Sequence, residues 1–251
     1  MAKQRGIIKV EGTLDELNFY KSKGGFKIRQ KGGVSAERIA TDPAFERTRE
    51  NQQEFARAGK AGKVLRSALR SLLIHASDSH LVSRLLKEMM RVVKADATSD
   101  RGQRNVLDGE VELLEEFEFN EDGKLSQTLF APYTASIDRV TGVLSISIPG
   151  FVPGQMILPP VEATHYQIVS AGGPVDFSAG SNGITTKATE ILPIGNDISE
   201  VVNHSFDAGA NSEQPLFLVM GICFYQAVNG KNYTLKNGAF NALKIVKVSG
   251  V

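Results

Sequence analysis

Apolar and polar positions recur in two rhythms along this chain. Between Thr41 and Leu73 the rhythm is helical: Phe45, Thr48, Gln52, Phe55, Ala58, Gly62, Leu65, Leu69 and Leu72 fall at steps of three and four and form one inward stripe. Asp42-Pro43 supplies the start, because aspartate accepts from the free N–H groups of a first turn and proline fits the first helical position. The middle of the stretch, Ala56 to Gly62, is poor in side-chain bulk, and each glycine there costs about 1 kcal/mol relative to alanine. Two readings stay open: a break into two helices near Gly59 to Gly62, or a surface that another backbone approaches closely, from this chain or a neighbouring copy. A second helical stretch, Ser79 to Ala95, lines up Val82, Leu85, Leu86, Met89, Val92 and Val93. The short polar break between the two predicts an antiparallel helical hairpin.

Ahead of the helices the period is two. Ile7 to Val10 is apolar and β-branched and reads as a strand. Leu17, Phe19 and Tyr20 follow, then a turn at Lys23-Gly24-Gly25, then Phe26-Lys27-Ile28-Arg29, closed by Lys31-Gly32-Gly33. This is a hairpin with one apolar and one basic face. Val34 to Ala40 reads as a connector. A small hairpin is marginal alone, so it needs a partner surface, and a terminal edge strand can add to the sheet of another copy.

After Val106 the strand rhythm returns. Expected strands are Phe117 to Phe119, Leu125 to Phe130, Ala135 to Ile137, Val143 to Ile148, Thr164 to Ser170, Pro174 to Phe177, Thr185 to Leu192, Val201 to Phe206, Pro215 to Val228, Lys231 to Leu235 and Leu243 to Val248. Asn229-Gly230 is the strongest hairpin signal. The expected fold is therefore α+β: an N-terminal β-hairpin and two-helix part, then an antiparallel β-sandwich of immunoglobulin-like or jelly-roll type. The polar stretch Thr98 to Asn105 is the expected boundary, giving domains at 1–104 and 105–251.

Charge sharpens that division. Residues 1–104 hold 22 Lys and Arg against 12 Asp and Glu, a net of +10, and residues 105–251 hold 7 against 16, a net of −9. A basic half can meet nucleic acid, the acidic half of the next copy, or the acidic half of its own chain. The cluster Lys3, Arg5, Lys9, Lys21, Lys23, Lys27, Arg29 and Lys31, interleaved with Phe19, Tyr20 and Phe26, has the composition of a single-strand-binding surface, though no named motif matches. No apolar run is long enough for a signal peptide or a membrane span, so the expected location is cytoplasmic, with release by lysis or a dedicated system.

Catalytic signals are weak. The single cysteine, Cys223, sits in an apolar run and reads as a buried, inert thiol. His75, His80, His165 and His204 lack metal-ligand spacing. The acidic run Glu110 to Glu118 reads as a solvated strand face, Asn120 to Gly123 lacks the spacing of a calcium loop, and the common nucleophile, zinc and dinucleotide motifs are absent. No enzyme activity and no cofactor are expected.

GTLDELNFYKSKGGFKIRQKGG followed by DPAFERTREN, together with the closing LKNGAFNALKIVKV, resembles an uncharacterised protein family widespread in Bacteroidota. The resemblance covers both ends of the chain and implies one unit, without implying an activity. The expectation is a self-assembling structural protein whose basic part docks head-to-tail on the acidic part of the next copy, as a filament, tube or ring. The residues assigned to that contact are Ile8, Val10, Phe19, Tyr20, Phe26 and Ile28 for docking or strand exchange, Arg47, Arg49, Arg57, Lys60 and Lys63 for charge, and Gly59 and Gly62 for close packing. Nucleic-acid binding by the basic hairpin and helix is the alternative.

Overall fold

The two-residue period near the N-terminus folds as a sheet of four short strands. The computed structural model describes residues 2–22, 24–30 and 32–251, the side chains of Lys236 and Asn237 excepted. Lys23 and Lys31, which belong to the expected turns and basic cluster, lie outside the described residues. Strands β1 (Ala2–Lys3), β2 (Gly12–Leu14), β3 (Leu17–Ser22) and β4 (Gly25–Gln30) form an antiparallel sheet in the order β1-β4-β3-β2. The predicted hairpin is β3–β4, with Phe19 opposite Ile28 and Lys21 opposite Phe26. Ile7 to Val10, expected as a strand, is instead part of the connection between β1 and β2. Those two strands are opposite edges of the sheet, so the sheet has no gap for a further strand between them. Helix α1 (Ala36–Thr41) occupies most of the expected connector and is capped by the Ser35 hydroxyl.

Asp42 starts the helical region as expected. Its carboxylate accepts from Ala44 N at 2.9 Å, and Pro43 opens a single 3₁₀ turn. Helix α2 (Glu46–Ala68) then runs unbroken through Gly59 and Gly62, so of the two readings left open there the break does not occur. Tertiary packing outweighs the local propensity cost: Ala58, Ala61, Gly62 and Leu65 are all buried. The helix ends at Ala68, and a short α3 (Arg70–Leu73) and α4 (Leu81–Ala95) follow.

The β region adds α5 (Leu125–Thr128), β5 (Thr134–Asp138), β6 (Val143–Ile148), α6 (Pro153–Met156), β7 (His165–Asp176), β8 (Ser181–Asn182), β9 (Thr185–Ala188), β10 (Leu192–Pro193), β11 (Val202–Asp207), β12 (Leu216–Val228), β13 (Lys231–Thr234) and β14 (Ala242–Ser249). Leu125 to Phe130, expected as a strand, begins instead as the helical turn α5, which the Thr128 hydroxyl closes onto Lys124 O. The two strands expected at 164–170 and 174–177 are one, β7. Asn229 and Gly230 have φ of 52° and 74°, the left-handed pair that a two-residue hairpin turn between β12 and β13 requires.

β12 pairs with β7 on one side and β14 on the other within a seven-stranded sheet, while β11, β6 and β5 form a second, three-stranded sheet. Alternate residues of β12 serve two cores. Leu216, Leu218, Met220, Ile222 and Phe224 face the smaller sheet, packing with Leu144, Ile146 and Phe206. Phe217, Val219 and Cys223 face α2 and α4, packing with Leu65, Leu69, Leu85 and Met89. The result is an α+β fold with a sandwich-like pair of sheets backed by helices, and it explains why the β12 sequence is a continuous apolar run rather than an alternating one. At Gly172 a Cβ would stand 2.7 Å from the Phe206 ring, so glycine is what lets β11 lie against β7.

The chain separates into two compact units at 49/50, residues 1–49 and 50–251. The change of charge and rhythm at 104/105 is not a gap in packing, because residues 58–93 share one core with strands that follow it. The polar stretch chosen as a boundary is a tethered loop. Buried Asp96 accepts from Thr98 N, Ser99 N and Asn105 N, buried Glu54 accepts from Gly102 N at 2.8 Å, and Arg57 donates to Gly102 O and Arg104 O. Polarity marks a linker only when its backbone groups go to water, and here they go to side chains.

Candidate functional site

The register of the N-terminal sheet sorts its side chains into two faces. Ala2, Leu14, Leu17, Phe19, Phe26 and Ile28 share one, with Lys21 and Gln30. Lys3, Lys27, Arg29 and Tyr20 share the other, with Thr13 and Asn18. No described residue between 2 and 49 is buried. Leu14 is 69% exposed and Leu17 42%, while Phe19, Tyr20, Phe26 and Ile28 are half-buried. Lysine ammonium groups of Lys9 and Lys21 lie 5.9 and 5.7 Å from the centre of the Phe26 ring, and the Arg29 guanidinium lies 5.7 Å from that of Tyr20. Of the residues expected to dock, Ile8, Val10, Phe19, Tyr20, Phe26 and Ile28, the sheet puts Phe19, Phe26 and Ile28 on one face. Tyr20 falls on the basic face. Leu14 and Leu17, absent from the expected contact, join the apolar face: the period of two running back from Phe19 reaches Leu17, and the turn at Asp15-Glu16 sets Leu14 opposite it.

The connection between β1 and β2 is fastened by two side chains, Gln4 and Lys9. Gln4 Nε2 donates to Val10 O at 3.1 Å, and Val10 N donates to Gln4 Oε1 at 3.0 Å. Lys9 Nζ donates to Gln4 O and Gly6 O at 2.8 and 2.6 Å. Within this loop Ile7 and Ile8 are 103% and 82% exposed, the most exposed of the large apolar side chains described. Val10 is also exposed.

The helix-borne candidates divide. Gly59 and Gly62 face α4: a Cβ on Gly59 would meet Leu86 at 3.9 Å, and one on Gly62 would meet Met89 at 3.7 Å and Leu85 at 3.8 Å. Their small size serves a helix crossing inside this chain. Arg57 is occupied by the 102–104 loop, and Arg49 donates to Ile39 O and Asp42 O at 2.8 and 2.9 Å. Arg47, Lys60 and Lys63 are exposed.

Several groups with catalytic or ligating potential have structural partners. The Ser170 hydroxyl and His204 Nδ1 share a buried hydrogen bond between the two sheets, and burial, helped by the nearby Lys187 charge, pulls the imidazole below its ordinary pKa. Burial pushes the Cys223 thiol up to about 11, far from a reactive thiolate. The acidic run clamps the edge of the large sheet: Glu112 accepts from Gly250 N, Glu115 from Val248 N, and Glu118 from Leu125 N and Ser126 N. Glu116 pairs with buried Lys244. Burial alone would lower the lysine pKa, but Glu116 and neighbouring charges leave it raised. Phe117 and Phe119 exchange backbone bonds with Ile245 and Leu243, so this segment covers the β14 edge. Asn120 donates to Ala239 O and Asn241 O, a structural use of the loop that loosely resembled a calcium site. A cavity of about 620 Å³ lies beside α4 and the 113–127 segment. Glu88, Glu116 and Glu121 on its wall are paired with Arg91, Lys244 and Arg84. Among the described residues no group of three or more His, Cys, Asp or Glu could hold a metal ion, and no helix is long and apolar enough to cross a membrane.

No protein-family model and no curated protein matches the sequence. Among solved structures the chain is similar to one described as "pH-induced modulation of Streptococcus parasanguinis adhesion by Fap1 fimbriae", at 13% identity over 55% of this chain and 89% of that one, with a TM-score of 0.28. The functional reading rests on the geometry of this chain.

Proposed function

We propose that this is a non-enzymatic structural protein that assembles with copies of itself through its N-terminal unit. One observation carries the reading: residues 2–49 contain a four-stranded sheet with a coherent apolar face, yet bury no described side chain. A sheet this small gains too little from its own burial to hold its conformation and is stabilised by a covering surface. A second copy suits that surface by charge. Residues 1–49 carry 11 Lys and Arg against 6 Asp and Glu, net +5, and residues 50–251 carry 18 against 22, net −4. A basic, apolar-faced unit docking on the acidic body of the next copy is a head-to-tail contact, which closes as a ring or extends as a filament.

The test is sedimentation velocity and negative-stain microscopy of nuclease-treated full-length protein, with and without Phe19→Glu and Ile28→Glu together. The expected result is particles larger than one chain for the unaltered protein and a single-chain species for the double variant, with the circular dichroism of the body retained. Uniform single chains from the unaltered protein at low salt would overturn the reading.

The second reading, nucleic-acid binding, is favoured by the opposite face, where Lys3, Lys27 and Arg29 surround Tyr20. It requires a raised A260/A280 ratio before nuclease treatment and affinity that falls steeply with salt. Lys27→Glu with Arg29→Glu separates the two, since it abolishes nucleic-acid retention and leaves the apolar face intact.

A further inference from the structure

We infer that residues 7–13 form a latent edge strand that pairs antiparallel, about a two-fold axis at Val10, with the same residues of a second copy. This deepens the self-assembly reading and rests on it. Three observations lead to it. First, Ile7-Ile8-Lys9-Val10 has strand-forming side chains but is folded as a loop, with its two isoleucines in water. Local preference and observed conformation disagree, as expected of a segment whose partner is another molecule. Second, β2 pairs only with β3 among the described strands, so its outer edge is open. Third, Lys9 and Glu11 flank Val10, so the segment is complementary in charge to its own reverse.

The register follows from charge and parity. With Val10 opposite Val10 of the second copy, Lys9 stands opposite Glu11 and Glu11 opposite Lys9, giving two cross-strand ion pairs from one sequence. Ile8 falls opposite Gly12, and Ile7 opposite Thr13. Extending the strand period backward from β2 puts Ile8 and Val10 on the face of Gly12 and Leu14, which the register of β2 and β3 already places with Leu17 and Phe19. Pairing would thus enlarge the apolar face of each sheet and join two four-stranded sheets into one. Gly12, at φ 130°, is the point where the chain leaves β2 for the loop, and a glycine there passes freely to ordinary strand angles. The contact is isologous, so it can combine with the head-to-tail docking of the sheet face on the body of a further copy.

Charge reversal tests this register. Full-length Lys9→Glu and Glu11→Lys variants are compared by sedimentation equilibrium, alone, mixed and as the double substitution in one chain. Each variant alone places like charges opposite one another twice and should weaken the two-fold association at least about tenfold. The equimolar mixture and the double variant should both restore it, because opposite charges again face each other. Glu11→Lys leaves the Lys9 fastening to Gln4 and Gly6 untouched, so its effect reports pairing rather than loop stability. Hydrogen exchange should show protection of the 7–13 amides only in the associated state. If the unaltered protein associates and the single variants do so equally well, or the mixture fails to recover, the strand register is overturned while assembly stands. If the unaltered protein remains single-chain at the highest attainable concentration, both readings fall.

Discussion

Two sheets in this molecule receive opposite treatment. The seven-stranded sheet of the body is covered on both faces, by helices on one and a second sheet on the other, and its β12 residues from Leu216 to Phe224 are all buried. The four-stranded sheet of the N-terminal unit has an equally consistent division of faces but buries none of its described side chains. The body also guards an edge, laying the Phe117–Phe119 segment along β14, whereas β2 pairs only with β3 among the described strands. One sheet is finished within the chain. The other gathers Phe19, Phe26 and Ile28 on one face and leaves them only half-buried.

The largest effect that tests this contrast is core truncation. Phe224→Ala should cost about 3–5 kcal/mol of body stability in urea unfolding, whereas Phe26→Ala should change it by less than about 1 kcal/mol. Equal losses would mean that the N-terminal sheet is part of the folded core. Next, Gly172→Ala should cost about 1–3 kcal/mol by overpacking against Phe206, and a neutral outcome would show that the two sheets can slide apart at β11.

Acid supplies a smaller and more selective probe. The buried imidazole of His204 has its pKa lowered by burial and then by Lys187, so the unfolded chain takes up the proton more readily. Stability from this group is complete above about pH 6.5 and is lost as pH falls below that. Burial of the Asp96 carboxylate would raise its pKa, but the bonds from Ser99, Thr98 and Asn105 together hold it well below the usual carboxylate range. Its contribution is present above about pH 4 and is lost in stronger acid. Thermal melts from pH 7 to 3 should therefore show two downward steps, and His204→Gln should remove the first while leaving the second. A first step that persists in that variant would assign it elsewhere.

The smallest perturbation is covalent. The Cys223 thiol, buried and with its pKa at about 11, should resist an aromatic disulfide reagent in the native protein and react at once in denaturant. Fast native labelling would show the helical side of the body opening.

Much of the body was legible in the chain. Val143 to Ile148 alternates because one face is buried, and it is β6 to the residue. Asn229-Gly230 is a hairpin turn because only such a pair tolerates two left-handed conformations in succession. Less of the candidate site was legible. Phe26 and Ile28 were placed on one face by period alone, but Arg49 and Arg57 could not be known to be spent on carbonyls within the chain until loops 39–42 and 102–104 were positioned. Gly59 and Gly62 signalled close approach without saying whose, and the answer is α4.

The sequence by itself determined the rhythms, the turns, the helix start at Asp42 and the unequal sharing of charge, because each is written in neighbouring residues and obeys local sterics or hydrogen bonding. Only the tertiary structure decided that the glycine-rich helix runs unbroken, that Thr98 to Asn105 is a tethered loop, that the units divide at 49/50, and that Ile7 to Val10 is left unpaired. The reason is common to all four. A residue pattern records that a face is to be covered or a polar group satisfied, but the covering surface lies tens of residues away, and its energy outweighs local preference once the chain is folded.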